Sequence, residues 1–377
     1  MSAVDWAAVR AEFPALRKWT YLNTATFGQL PRRAVEASMR HFAHRDETAC
    51  ADFLDWYEDA DALRAEIGLL IGASAEDIAF VPNASHALAM LVNGLQWRDG
   101  DRVVTLEHEF PNNLYTPALL RGTGVEFVAC SWERFHDTVD ERTRLVLVSS
   151  VNYNTGFAPP LDEIANAVHR HGGLLFVDGT QSVGALRFDA ARVQPDMLAV
   201  HGYKWLLSPP GAGFVYVHPS LRASLVPMVA GWRSHRDWRN VDNLHHGLPE
   251  YSDDAEKYEG GGLPFPLLYA MRASVQMLLE IGPDAIEDRV LDLARQTREM
   301  LRELGAQVEE YTSPVVAARF ESQDVSALTR HLKDRRIILA ARKGALRVSP
   351  HFYNDESDLE SLREELKALL EGERQGA

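Results

Sequence analysis

The sequence predicts an α/β fold: a mostly parallel seven-stranded sheet in a large domain, followed by a smaller α+β domain. Three observations lead there. Seven short apolar runs recur between residues 78 and 217. Helix-like stretches separate most of them, the alternation of a parallel sheet covered by helices. The runs are continuous rather than alternating, which fits strands buried on both faces.

In chain order, MSAVDWAAVRAEFPALRKW (1–19) reads as an amphipathic helix. The strands are IAFVP (78–82), RVVTL (102–106), VEFVA (125–129), RLVLVSS (144–150), GLLFVD (173–178), DMLAV (196–200) and GFVYV (213–217). Helices are expected over 85–95 and 161–171. The turn before GFVYV is too short for a crossover helix, so that strand should run antiparallel to the one before it. Near residue 230 the texture changes. GWRSHRDWRNVDNLHHGLPEYSDDAEKYEGGGLP has no clear period and is long for a structureless loop, as functional loops often are. Its aromatic and histidine residues over 231–246 suit either a substrate pocket or a dimer contact. Helical patterns follow over 266–281 and 284–304, then strands near VVAARF and LRVSP. A closing helix over 357–371 carries the alternating charges of a solvated face. The expected division is a large domain over 15–250 and a small one made of 1–14 and 251–377.

Composition narrows the function. The chain has 377 residues, 46% hydrophobic and 25% charged, ordinary values for a globular enzyme. Its net charge of −15 and the lack of a basic stripe argue against nucleic acid, which requires clustered Lys and Arg. Cys50 and Cys130 have neither CxxC spacing nor a disulfide framework, which points to a reducing compartment. No basic segment followed by an apolar one opens the sequence, and no apolar run approaches the ~20 residues of a membrane span. A cytoplasmic protein without a membrane partner is expected.

Ligands of open α/β sheets bind beyond the carboxyl ends of the strands. The polar residues there are Asn83-Ala84-Ser85-His86, Glu107-His108-Glu109-Phe110, Asn152-Tyr153-Asn154, Asp178-Gly179-Thr180-Gln181 and His201-Gly202-Tyr203-Lys204. An anion site, a carboxylate, an amide, an aromatic ring and an amine in one crevice form the set that pyridoxal 5'-phosphate needs. The Lys204 amine would form a Schiff base with the aldehyde and shuttle the proton at the substrate α-carbon. Asp178 would keep the pyridine nitrogen protonated, so that the ring accepts electrons. Backbone N–H groups of Ala84, Ser85 and His86, at a helix N-terminus, would hold the phosphate. Each residue alone has a plainer reading. A lysine at a strand end is commonly a solvated charge, Asp178 a turn residue, Phe110 core, His86 and His108 packing or capping groups. Lys204, Asp178 and Gln181 together favour the cofactor. Glu107-His108-Glu109 is not a metal motif, because adjacent residues do not share one face, and no metal is expected.

VDGTQSVGALRFD, HGYKWLLSPPGAGFVYV and LRVSPHFYNDESDLE together resemble the class V aminotransferase family. The resemblance runs from YLNTATFGQLP (21–31) to the last helix. It implies the aspartate-aminotransferase fold, fold type I, and relatives that include cysteine desulfurases, kynureninases and isopenicillin N epimerase. By that resemblance Lys204 is the Schiff-base lysine and Asp178 the partner of the pyridine nitrogen. Gln181 and Asn152 lie near the phenolic oxygen, and Phe110 stacks on the ring. His201 and Tyr203 flank the lysine where relatives hold the phosphate. Arg347 grips the substrate α-carboxylate, a task suited to bidentate guanidinium pairing, and Asn23 joins it as a substrate-binding residue. A homodimer is implied.

Two departures stand out. The segment 341–350, ARKGALRVSP, holds neither the nucleophilic cysteine of the desulfurases nor room for their long lid, which speaks against persulfide transfer. Gly262, in YEGGGLPF, stands where relatives often have a threonine that reaches the neighbouring subunit's phosphate; only its backbone could contribute. A quinonoid intermediate on this cofactor can lead to transamination, loss of a substituent or racemisation. The expected activity is an aminotransferase acting on an α-amino acid. The alternatives are a Cβ–S lyase of a cysteine conjugate or sulfoxide, and an epimerase. A non-catalytic module of this fold is disfavoured by the retention of Lys204, Asp178, Gln181 and Arg347.

Overall fold

All seven expected runs join one sheet. The computed structural model describes residues 4–321 and 323–375. The strands are β1 (Ile78–Val81), β2 (Arg102–Leu106), β3 (Glu126–Cys130), β4 (Thr143–Ser149), β5 (Leu174–Asp178), β6 (Met197–His201) and β7 (Gly213–Val217), in the order β1-β7-β6-β5-β4-β2-β3. β7 is antiparallel to both its neighbours, and every other pairing is parallel.

The continuous apolar runs have a simple cause. Successive strand residues point to opposite faces, and both faces are covered. Val146, Val148, Val177, Leu198 and Val200 enter one core, while Leu145, Leu147, Phe176, Met197 and Ala199 enter the other. The second core is closed by α4 (Ala84–Gly94), the fourth helix of the chain when single turns are left uncounted.

The N-terminal helix is shorter than expected. Residues 1–3 of that stretch lie outside the described residues, and α1 spans only Trp6–Ala11. The Asp5 side chain caps it by accepting the Ala8 N–H at 3.0 Å. Pro14 cannot continue a helix and opens a single 3₁₀ turn, Pro14–Arg17. The segment after it pairs with the small domain: Thr20–Tyr21 lies parallel to Ile337–Ile338, and Asn23 bridges to Ser349.

Two long helices have no counterpart in the expectations, α2 (Arg32–Thr48) and α3 (Asp55–Ile71). α2 buries a narrow stripe, Ala34, Ala37 and His41, which packs on Ala270 and Ala273 of a later helix. Small residues let the two helices approach closely. The remaining helices are α5 (Leu161–Arg170), α6 (Phe265–Ile281), α7 (Pro283–Glu303), α8 (Val325–Asp334) and α9 (Glu356–Gln375). α6 buries Met271, Val275 and Leu278 in a core of the large sheet. A domain division at residue 250 stays a proposal, and these contacts place α6 with the large sheet.

The small sheet has the order β10-β11-β9-β8, with β8 (Gln307–Val308), β9 (Val316–Arg319), β10 (Ala340–Arg342) and β11 (Ala345–Val348). One of its faces, carrying Val316, Ala318, Leu346 and Val348, packs with Leu22 and with Leu293 and Leu301 of α7. The long segment after residue 230 is knotted around Arg233, which is fully buried. Its guanidinium pairs with Glu256 at 2.8 Å and Glu259 at 2.9 Å and lies over the rings of Tyr57 and Trp238. No helix among the described residues is long and apolar enough to cross a membrane.

Leu346 is fully buried in the small-domain core. Leu346→Ala should lower the unfolding free energy by about 2–5 kcal/mol through lost burial and a residual cavity, read as a shift in urea midpoint.

Candidate active site

The carboxyl ends of β4, β5 and β6 open onto a cavity of about 290 Å³, with the N-terminus of α4 on its rim and Lys204 in its wall. Lys204 is 6% exposed. Its Nζ lies 5.5 Å from the Phe110 ring centroid and 5.4 Å from that of Tyr203, and makes no hydrogen bond among the described residues. Burial brings the amine down to about 8; Asp178 opposes this, and Arg347 and Arg342 add to it. An amine of that strength is still mostly protonated at pH 7, but its neutral, nucleophilic fraction, about a tenth, is far above that of an ordinary lysine.

The backbone around Lys204 is gripped from both sides. Gly28 donates its N–H to the Tyr203 carbonyl at 2.9 Å. A Cβ on Gly28 would come within 1.9 Å of the Lys204 carbonyl oxygen, so only glycine allows this approach. Gly184, at φ +102°, meets the Trp205 carbonyl in the same way. The Trp205 indole N–H donates to Gln181 Oε1 at 2.9 Å, and Gln181 Nε2 donates to the Ala25 carbonyl at 3.1 Å.

Asp178 ends β5 and lines the cavity. One carboxylate oxygen, Oδ1, accepts the Thr180 N–H at 2.9 Å; Oδ2 has no hydrogen-bond partner among the described residues. Thr180 Oγ1 accepts the His201 N–H at 3.1 Å. Burial, helped by Lys204, pushes the His201 imidazole down to about 4, so the ring is neutral. Tyr203 packs edge-on against His201 and Phe27, and burial raises its phenol.

Asn83 caps α4, its side chain accepting the His86 N–H at 2.9 Å. Of the three N–H groups proposed for an anion, that of His86 is therefore occupied, while Ala84 and Ser85 face the cavity. Phe110 also lines it and meets Tyr153 edge-on at 5.2 Å.

Arg347, on β11, is 2% exposed and has no carboxylate partner among the described residues. Nη1 donates to the Tyr153 carbonyl at 2.7 Å, Nη2 to Asn23 Oδ1 at 3.4 Å and to Thr26 Oγ1, and the buried Nε has no partner. Burial and the charge of Arg342 bring the guanidinium down to about 10. A buried cation without a counter-charge is costly unless an anion completes it.

Five expected residues do not line the cavity: Arg347 and Asn23, bonded to each other with Arg347 also on the carbonyl of the cavity residue Tyr153, and Asn152, His86 and Gly262. Asn152 spends its amide on two loops: Nδ2 donates to the His108 carbonyl, after β2, at 3.0 Å, and Oδ1 accepts the N–H groups of Asn154 and Thr155 in its own turn. The His86 side chain is not in the cavity wall. Gly262 is exposed, with nothing within 4 Å of where a Cβ would sit. The loop residues 231–246 do not line the cavity either. Cys130 is buried, its thiol raised by burial, and neither cysteine lines the cavity. Among the described residues no group of His, Cys, Asp and Glu is placed to hold a metal.

Other residues emerge only from the structure. Glu109 is buried beside Phe110, its carboxylate accepting from Ser149 N (2.7 Å), Ser149 Oγ (2.5 Å) and Asn113 Nδ2 (3.1 Å). Burial raises its pKa. His351, four residues after Arg347, is fully buried. Its Nδ1 accepts the Phe352 N–H at 2.8 Å, which assigns the proton to Nε2, 3.0 Å from the Trp205 carbonyl. The arginine segment is thereby bonded to the lysine segment. The N-cap Asn83 was detectable from its position before an apolar helix; Glu109 and His351 were not, since their roles rest on distant partners.

The donor set fits pyridoxal phosphate. A buried amine of lowered basicity, a carboxylate with a free oxygen, a ring face and free N–H groups at a helix start converge on a cavity of suitable size.

Burial holds His351 near 3 in the folded protein, against an ordinary 6.5. Between those values the unfolded chain binds a proton that the folded one does not, so stability falls as pH drops through this window. In His351→Gln the slope of unfolding free energy against pH should be shallower by up to about 1.4 kcal/mol per pH unit. Urea titrations between pH 4 and pH 6 check this; an unchanged slope contradicts it.

The aminotransferase class-V profile matches residues 20–362. The uncharacterized aminotransferase YcbU of Bacillus subtilis is 28% identical, covering 95% of this chain and 96% of its own. The isopenicillin N epimerase of Streptomyces clavuligerus is 26% identical, covering 98% and 99%. Among solved structures, the cystine C–S lyase C-DES, in a mutant with glycine covalently linked to its pyridoxal-phosphate cofactor, superposes with a TM-score of 0.88 at 23% identity, covering 95% of this chain and 98% of its own. That likeness bears on the fold. Matched over nearly its whole length, the chain belongs to the class V aminotransferase family of pyridoxal-phosphate-dependent enzymes.

Proposed function

We propose that this enzyme is an aminotransferase acting on an α-amino acid, with Lys204 as its catalytic amine and Arg347 as the anchor of the substrate carboxylate. One observation carries the reading: among the described residues, a buried amine free of hydrogen bonds lines one cavity with Asp178, and a buried guanidinium free of carboxylates bonds the carbonyl of Tyr153, a residue of the same cavity wall.

When bound, the cofactor supplies an aldehyde that condenses with amines and a pyridinium ring that withdraws electrons from the substrate α-carbon. The chain's own residues do the rest. Asp178 would offer its free oxygen to the pyridine N–H, with Thr180 fixing the other oxygen. Ala84 and Ser85 would give N–H groups to the phosphate, with His201 and Tyr203 beside it. Phe110 would cover one ring face. Gln181, tied to Ala25 and Trp205, would keep its remaining N–H for the phenolic oxygen. Lys204 would take and return the proton at the substrate α-carbon, and its lowered basicity suits both directions. Arg347 and Asn23 would orient the amino acid by its carboxylate. Asn152 would contribute only after its amide leaves these loops.

Transamination is favoured over persulfide transfer by the 341–350 segment. It forms a tight hairpin whose turn, Lys343-Gly344, has φ of +45° and +75°, and it carries neither a lid nor a cysteine. Gly262 would meet the phosphate of a neighbouring subunit through its backbone, in a cytoplasmic homodimer. The large domain would span 15–250 together with α6, with the remainder as the small domain.

Purified holoenzyme incubated with an amino acid and a keto acid should exchange amino groups. Keto acid and ammonia released without an acceptor would instead identify a lyase, and loss of optical activity alone an epimerase. Arg347→Ala removes a charge-assisted contact worth about 1.5–3 kcal/mol, so KM for α-amino acids should rise about 10- to 150-fold; an unchanged KM contradicts the anchor.

A further inference from the structure

The two faces of the small sheet differ sharply. One is the apolar core of the small domain. On the other, register places Ala340 opposite Arg347 and Arg342 opposite Ala345, with Ala317 beyond. Paired residues share a face, as do residues two apart on a strand. Arg342 and Arg347 therefore project from the same face, with Ala345 between them and Ala340 and Ala317 beside Arg347; Arg319, two residues after Ala317, lies exposed at the outer edge and donates to the Lys343 carbonyl at 3.0 Å. Arg347 reaches the carbonyl of Tyr153, whose side chain lines the Lys204 cavity, so this face looks toward the active site. Lys343, on the connecting turn, brings its Nζ to 6.0 Å from the Tyr153 ring.

None of these cations is neutralised. Arg342 is half-buried and donates only to the carbonyl of Ala341. Among the described residues neither it nor Lys343 has a carboxylate at salt-bridge distance, in a chain whose net charge is −15. One arginine suffices for an α-carboxylate. A second guanidinium on the same face, with an ammonium at its edge, leaves positive charge for a second anion.

We infer that the preferred substrate carries an anionic side chain, a carboxylate or sulfinate that Arg342 receives while Arg347 holds the α-carboxylate. This rests on the reading of Arg347 given above. The alanines at 317, 340 and 345 leave room between and beside the two arginines, and Lys343 draws the anion toward the mouth of the cavity.

Amide isosteres isolate the charge. The holoenzyme should use aspartate or glutamate with kcat/KM at least about 10-fold above asparagine or glutamine, the value of one charge-assisted contact. In Arg342→Gln that preference should collapse toward parity. Calorimetry gives a readout independent of turnover: succinate should bind the holoenzyme about 10-fold or more tightly than butyrate, and the difference should vanish in Arg342→Gln. Amides used as well as acids, succinate binding no better than butyrate, or a preference that survives in Arg342→Gln each overturn the inference. Failure of the underlying reading is distinct: kcat/KM for acids and amides alike would be untouched by Arg347→Ala.

Discussion

The site depends on the immobilisation of one peptide segment, Tyr203 to Trp205. Three carbonyls in a row are fixed from outside. Gly28 bonds to Tyr203, a missing side chain at Gly28 makes room for the Lys204 carbonyl, and His351 holds Trp205. The Trp205 indole then passes the constraint to Gln181 and Ala25. A reactive amine is useful only if it meets its partner atoms in one geometry. Here the rigidity comes from four separate stretches of chain: residues 22–28, the turn after β5, the lysine segment itself and the strand-end after β11. Since Arg347 and His351 lie on the same short stretch, the groups proposed to hold substrate and to carry its proton share one bonded frame.

Charge follows the same logic. The two buried arginines away from the cavity are matched: Arg233 sits between two glutamates, and Arg64 pairs with Glu259 at 2.6 Å. Around the cavity the matching stops. Lys204 is lowered by burial and by two guanidinium groups with only Asp178 opposing, and Arg347 is buried with one nitrogen unpartnered. Unmatched positive charge in a buried site is destabilising by itself and is the arrangement expected where anionic groups bind.

Much of this was legible in the sequence because burial on both faces writes itself as continuous apolar runs. Each expected strand lies within a residue or so of its observed bounds, and Lys204 and Asp178 stood out as polar residues at the ends of such runs. The antiparallel β7 followed from the shortness of its connection. Other features leave no local trace. α2 buries only two alanines and a histidine, too thin a stripe to show a period. The Thr20–Tyr21 ladder is two residues long. Position after a strand could not reveal that Asn152 turns its amide onto two loops, nor that the His86 N–H is taken by Asn83. The role of His351 depends on a carbonyl 146 residues away.

The central claim is that Lys204 is the amine that holds the cofactor. Borohydride reduction of the holoenzyme fixes the cofactor covalently to its amine, and peptide mapping by mass spectrometry then locates it. The account predicts a single label on the peptide containing Lys204. A label on any other lysine, or none after reconstitution with pyridoxal phosphate, would contradict it.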